Sequence, residues 1–353
     1  MNMNCRKLIS AAVLCTALVV SGSVVAKTTL KMASLAPTKS TWTKMFKHMA
    51  SELDEKTGGS IGVDLFVGGV QGDEKEVVEK LRTGQLQMAA ITAVGLGKIV
   101  PDTLVFQLPG LYSSAKMLDK ARSGVSEGIE KQMDAAGFVL LGWGDVGPNY
   151  YFTNKPVTDP ESLKASKMWV WSDDPIAQAI VRNAGANGVP MGVPSVTAAL
   201  ANGKINGYFT SPLAAASLRW YNRTDHIANV PISMSIGAVV ITKAALEALS
   251  KEEQGHVRTI AAKWAKILTK QVRKDNRKTL RLMADAAYAD VKVSKSGELT
   301  VGAVKAGANK PVVSQWSAED KRAWQGVFEK VQNELAGKVY SKDLLERVRA
   351  LVR

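Results

Sequence analysis

The stretch KMWVWSDDP, Lys167 to Pro175, holds the residues best placed for recognition chemistry in this chain. In an extended segment alternate side chains face the same way, so Trp169 and Trp171 project together with Val170 opposite. Two neighbouring indoles either fill a core or form an aromatic wall for a bound molecule, and an adjacent acid lets such a wall hold a cation. Asp173 and Asp174 supply that acid, or else cap the helix that Pro175 opens.

Catalytic chemistry finds little support. His48, His226 and His256 stand alone, no serine is expected in the strained turn of a hydrolase nucleophile, and no run resembles a zinc or calcium site. The glycine-rich FVGGVQGDE follows an apolar run and opens a helix, yet it lacks the lysine and hydroxyl of a phosphate loop and the spacing of a dinucleotide fingerprint. It reads as a tight turn that brings backbone amides and Gln71 to the edge of a cleft. Glu74, Glu76 and Glu79 beyond it read as a solvated helix face. No catalytic residue, metal site or cofactor is expected.

Composition narrows the class. The chain has 353 residues, 46% hydrophobic, with a formal charge of +14, enough for about two domains with real cores. Its first 26 residues have a basic start at Arg6 and Lys7, an apolar run, and small residues at Val24 and Ala26. They read as a signal peptide cleaved after Ala26. Both cysteines, Cys5 and Cys15, fall inside it, so the exported chain is expected to have no disulfide or reactive thiol, which suits a bacterial periplasm. The positive charge matches no nucleic-acid motif. It concentrates in KQVRKDNRKTLR, where Lys270, Arg273, Lys274, Arg277, Lys278 and Arg281 recur at helical spacing: a solvated face, or a docking face for an acidic partner or anionic lipid.

The elements that must position these residues follow an α/β pattern. TTLKMAS, IGVDLF and QMAAI read as strands separated by amphipathic helices, a βαβαβ unit with a parallel sheet. KMWVW, DPIAQAIVRNAG and SVTAALANGKINGYF repeat that build, so two similar lobes are expected, hinged near GDVGPNYYFTN. A strand from PISMSIGAVVIT returns to the first lobe. A weakly capped helical region over about 251–290 and two C-terminal helices complete the chain.

The runs FVGGVQGDEKEVVEKLRTGQLQMAAI, TNKPVTDPESLKASKMWV and VPMGVPSVTAALANGKINGYFTSPLAA together resemble the periplasmic substrate-binding subunit of TRAP transporters, the DctP family. The resemblance runs from about Thr28 to the long helix. It implies a two-lobed periplasmic solute-binding fold with a long lobe-bridging helix, which closes over a small molecule. Lobe I would comprise 27–147 with 236–272, and lobe II 148–235 with 273–353. Delivery to the membrane permease subunits of an ion-driven transporter is implied as well, and in some arginine-poor relatives a helper protein of the TPR type.

Organic-acid-binding relatives hold the ligand carboxylate with an arginine fork. Against their pattern that position is Trp169, the second arginine position is occupied by Asn149 and Tyr150, and Asn206 and Ser211 replace an aspartate and an asparagine. Gln71 and Gly72 still match. The expected ligand is therefore hydrophobic or amphipathic, walled by Leu35, Trp143, Trp169 and Trp171, with Gln71, Asn149, Tyr150, Thr210 and Ser211 fixing its polar end. An organic acid held by Lys39, Arg182 or Arg219 ranks second, and a cation beside Asp174 third. An enzyme on the same scaffold is the rival from another class.

Overall fold

A computed structural model describes residues 27–308 and 310–353. The expected signal peptide and both cysteines lie outside the described residues.

In chain order the first lobe contributes β1 (Thr28–Ser34), α1 (Thr41–Lys56), β2 (Ile61–Phe66), α2 (Glu74–Arg82), β3 (Met88–Thr92), α3 (Ala93–Ile99) and α4 (Ala115–Ala135). The strand β4 (Phe138–Thr153) then leads into α5 (Pro160–Leu163), β5 (Lys167–Trp171), α6 (Pro175–Asn183), β6 (Asn187–Met191), α7 (Val193–Ala201), β7 (Gly207–Thr210), α8 (Pro212–Ser217) and β8 (His226–Ala228). After β9 (Ser233–Thr242) come α9 (Lys243–Glu247), α10 (Lys251–Asp285), β10 (Lys292–Val293), β11 (Leu299–Thr300), β12 (Val312–Ser314), α11 (Ala318–Leu335) and α12 (Lys342–Val352).

The two lobes share one build. β1 pairs in parallel with β2 on one side and β3 on the other, and β5 does the same with β6 and β7. Each lobe is thus a βαβαβ unit, as the periodicity predicts. β6 is missing from the sequence reading: NGVPM carries a proline and leaves most of its side chains solvated at the sheet edge, so it shows no alternation.

β4 joins the lobes. Its first part runs antiparallel to β9, which itself pairs antiparallel with β3, and its last part runs antiparallel to β7 and β8. At a register shift just before the changeover Gly147 adopts φ +127, and a Cβ there would lie 2.3 Å from Asn276 Nδ2 on α10. Only glycine fits both the backbone and the close approach. Asn276 donates to the Val146 carbonyl at 2.9 Å and accepts from Leu213 N at 3.0 Å, tying α10, β4 and α8 together.

α10 is a single helix of 35 residues, ending earlier than expected. It is firmly capped: Ser250 accepts from Glu253 N while the Glu253 side chain accepts from Ser250 N, the reciprocal pairing that satisfies two free donors of the first turn. Trp316 and Trp324 stack at 5.4 Å beneath Tyr151 and fix α11 on the second lobe. α12 departs from the expected lobe division, because it packs on α4 of the first lobe.

Candidate functional site

Between the lobes lies a cavity of about 180 Å³. At the volume a single enclosed water needs, that is room for roughly a dozen water-sized centres, hence for a small molecule. The first lobe walls it with the β1–α1 turn and with Trp42 and Phe46 of α1, the connecting strand β4 with Asp145, Val146 and Asn149, and α10 with Ala265 and Leu268. From the second lobe come Trp169, Trp171, Asp174, Phe209, Thr210 and Trp220.

Strand alternation puts Trp169 and Trp171 of β5 side by side as expected, their rings stacked with centroids 6.0 Å apart. Trp220, in the turn after α8, meets Trp169 edge-on at 5.3 Å. Each indole N–H is used away from solvent: Trp169 donates to the Met191 carbonyl at 3.0 Å, Trp220 to Thr197 Oγ1 at 3.0 Å and Trp171 to Asp73 Oδ2 at 2.9 Å. With those polar handles occupied, the rings offer the cavity mainly apolar surface.

Three carboxyl groups also border the cavity. Asp145 is fully paired, with Arg122 at 2.9 Å and with Nε of Arg273, whose Nη1 and Nη2 also grip Asp119. Glu74 is 1% exposed, so it is no solvated helix residue. It accepts from Thr92 N, Thr92 Oγ1 and Gly95 N at 2.7–2.8 Å, tying α2 to the start of α3. Burial pushes its pKa up to about 7 against those hydrogen bonds. Asp174 caps α6, accepting from Ile176 N at 2.9 Å and Ala177 N at 3.1 Å, and burial pushes its pKa up to about 6. Among the described residues no lysine, arginine or histidine borders the cavity.

Of the residues picked from the sequence, Leu35, Asn149, Trp169, Trp171 and Thr210 border the cavity together. The other four point elsewhere. Tyr150 follows Asn149 on β4, so alternation turns it to the opposite side, where its hydroxyl donates to the Gly297 carbonyl. Trp143 packs edge-on against Phe106 at 5.3 Å and under the Arg122 guanidinium. Ser211 is the buried cap of α8, accepting from Ala214 N. The Gln71 side chain accepts from Lys80 Nζ at 2.9 Å. From that same turn it is Asp73, two residues on, that reaches the other lobe.

None of the three bases considered for an organic acid borders the cavity. Arg182 pairs with Glu334, and Lys39 and Arg219 are exposed. Asp173 bonds Lys98 across the lobes at 2.6 Å. Two runs, GGSIG and GVSEG, do spell Gly-x-Ser-x-Gly, but Ser60 donates to Glu253 in a helix-to-strand turn and Ser126 donates to a carbonyl inside α4. Neither occupies the strand-to-helix elbow of a hydrolase. Among the described residues no three potential metal ligands gather, and no helix is long and apolar enough to cross a membrane.

Two α/β lobes joined by a continuous strand and a long helix, with a ligand-sized cavity between them, define a solute-binding protein. The family model of bacterial extracellular solute-binding proteins, family 7 (DctP), matches residues 32–319, and the chain belongs to that family. It is a solute-binding protein of TRAP transporters, a family that works in the periplasm with membrane permease subunits and is not enzymatic. A solute-binding protein of Roseobacter denitrificans is 26% identical over 90% of this chain and 96% of its own. The C4-dicarboxylate-binding periplasmic protein DctP of Rhodobacter capsulatus is 25% identical over 82% and 80%. Similar folds include a TRAP binding protein of Xanthobacter autotrophicus with β-D-galacturonate bound, at TM-score 0.77 and 21% identity over 91% of this chain and 99% of that one. Another, from Shewanella oneidensis with bound succinate, has TM-score 0.80 and 17% identity over 93% and 100%.

Proposed function

We propose that the cleft captures an uncharged, hydrophobic or amphipathic small molecule for delivery to the TRAP permease. One observation carries this reading: four indoles, those of Trp42, Trp169, Trp171 and Trp220, border the cavity, and among the described residues no cationic side chain does. A carboxylate enclosed there would lose its water with no cation in return, at a cost of several kcal/mol, and would face Glu74 and Asp174 as well. An apolar ligand instead exchanges water for the faces of aromatic rings and leaves no charge unpaired. Leu35, Trp169, Trp171 and Trp220 are the proposed walls. Asn149, whose amide donates to Ser233 Oγ at 3.0 Å, and Thr210 are the proposed polar contacts.

An organic acid is the second reading, supported by the ligands of similar proteins, and it requires one of the outlying bases to swing into the cleft. The division into lobes hinged at 147–149, and a TPR-type helper beside the permease, belong to the same proposal; co-purification from the periplasm tests the helper. The ligand class is tested by following tryptophan fluorescence while titrating a neutral aromatic or lipid-like series against succinate and galacturonate. Saturable quenching by the neutral series alone is expected. Tight binding of either acid with no response to the neutral series would overturn the reading.

A further inference from the structure

Helix α10 has two working faces. Ala265 and Leu268 border the ligand cavity, whereas Lys266, Lys270, Lys274, Arg277, Lys278 and Arg281 are exposed on the other side. At 3.6 residues per turn these six fall within an arc of about 120°. Arg273, expected on the same stripe, is turned away into its bonds with Asp119 and Asp145. Lys292 of β10 joins Arg277, Lys278 and Arg281 around a shallow groove that Val291 and Val293 complete. Among the described residues only Arg281 of this group has a carboxylate partner, Asp285 at 3.3 Å. Two large exposed apolar side chains accompany the basic face, Ile267 within the arc at 38% exposure and Leu282 about 40° beyond its edge at 57%.

We propose that this face docks the protein on a bilayer containing anionic phospholipid. The cations would meet headgroup phosphates while Ile267 and Leu282 enter the headgroup boundary. Unpaired cations gathered on one helix complement a negative membrane surface, where each contributes about fivefold in binding. Exposed aliphatic side chains among them suit an interface with an apolar layer just below the charge. An acidic protein surface would satisfy the cations and leave those aliphatics against charge. Because the cavity lies on the opposite face of the same helix, docking leaves the ligand walls untouched.

The test is co-sedimentation with vesicles of phosphatidylcholine alone or with phosphatidylglycerol, at low and high salt. Binding is expected to be at least tenfold stronger with phosphatidylglycerol and to be lost at high salt, where the screening length shrinks to a few ångströms. The variant Lys274→Glu/Lys278→Glu/Arg281→Glu should fall below detection with its thermal transition retained. Leu282→Gln, which leaves the charge unchanged, should bind severalfold less, and excess inorganic phosphate should not compete. Equal binding to both vesicle types, or wild-type binding by the charge variant, would overturn the proposal. So would an unaffected Leu282→Gln, because the face would then read any polyanion.

Discussion

Asp73 reaches across the cleft: its Oδ2 accepts from Trp171 Nε1 at 2.9 Å and from Val193 N at 3.1 Å. The acid caps α2 of the first lobe, and both donors belong to the second. One carboxylate oxygen thus fastens an aromatic wall of the cavity to the opposite lobe. Gly192 permits the approach, since a Cβ there would stand 2.5 Å from that oxygen.

Asp73→Ala should therefore weaken closure. It leaves two half-buried donors without an acceptor, a loss of about 1–3 kcal/mol, and removes a helix cap. Ligand dissociation is expected to quicken about tenfold, with a smaller change in association. Asp73→Asn keeps one acceptor oxygen and should fall between. Stopped-flow fluorescence reads both rates, and a wild-type dissociation rate in Asp73→Ala would remove the latch.

Trp169→Arg would put a guanidinium into the cleft at the position where the family resemblance implies one. Affinity for a neutral ligand should drop more than tenfold, and binding of succinate or galacturonate should become measurable by calorimetry. Trp169→Ala, by contrast, should lose the neutral ligand and about 3–5 kcal/mol of stability as the packing against Trp220 is lost, without gaining an acid. An unchanged neutral-ligand affinity in both variants would take Trp169 out of the site.

Stability should fall as pH rises from about 4.5 towards 7. Glu74 has a folded pKa of about 7 against 4.5 when unfolded, so the folded state binds the extra proton in that window. Its protonated form is compatible with folding because the Thr92 hydroxyl can turn and accept from it. The contribution is complete below the unfolded pKa and gone above the folded one, about 3 kcal/mol in all. Asp174 acts in the same direction. Glu74→Gln should be less stable throughout but lose most of this slope in urea titrations at pH 5 to 8. An identical slope in variant and wild type would contradict the assignment.

Gly147→Ala should disturb the hinge. The positive φ and the contact with Asn276 both act against a side chain, so a loss of more than about 2 kcal/mol is expected. Asn276→Ala, which frees the Val146 carbonyl and Leu213 N but keeps the glycine, should reproduce part of it. Thermal unfolding of the two variants and the double variant checks this: additive losses would show that the two residues do not act together.

The sequence made the lobes readable because their strands and helices follow plain periodicities, and it made the Trp169–Trp171 pair readable because alternation settles which side chains share a face. Alternation also separates Asn149 from Tyr150, although the sequence alone does not say which of them faces the cavity. Trp220 reaches the site through a turn after α8, a placement only the fold determines. Glu74 sits in the first turn of α2, where an acid normally suits the helix dipole from the solvent side; its burial depends on Thr92 and Gly95, distant in the chain. Gln71 and Asp73 share one turn, and nothing in GVQGDE tells which crosses the cleft. The Ser250–Glu253 box lies in SKEE and marks the start of α10, yet the sequence reading treats this helix as weakly capped and misses the reciprocal signal that is there.

Native mass spectrometry of the protein isolated from its own periplasm, followed by solvent extraction of what it carries, tests the central claim most directly. The indole-walled cavity without a cation predicts a co-purifying neutral molecule of lipid-like or aromatic character, lost from Trp169→Arg. A sugar acid or dicarboxylate released from the wild-type protein would contradict it.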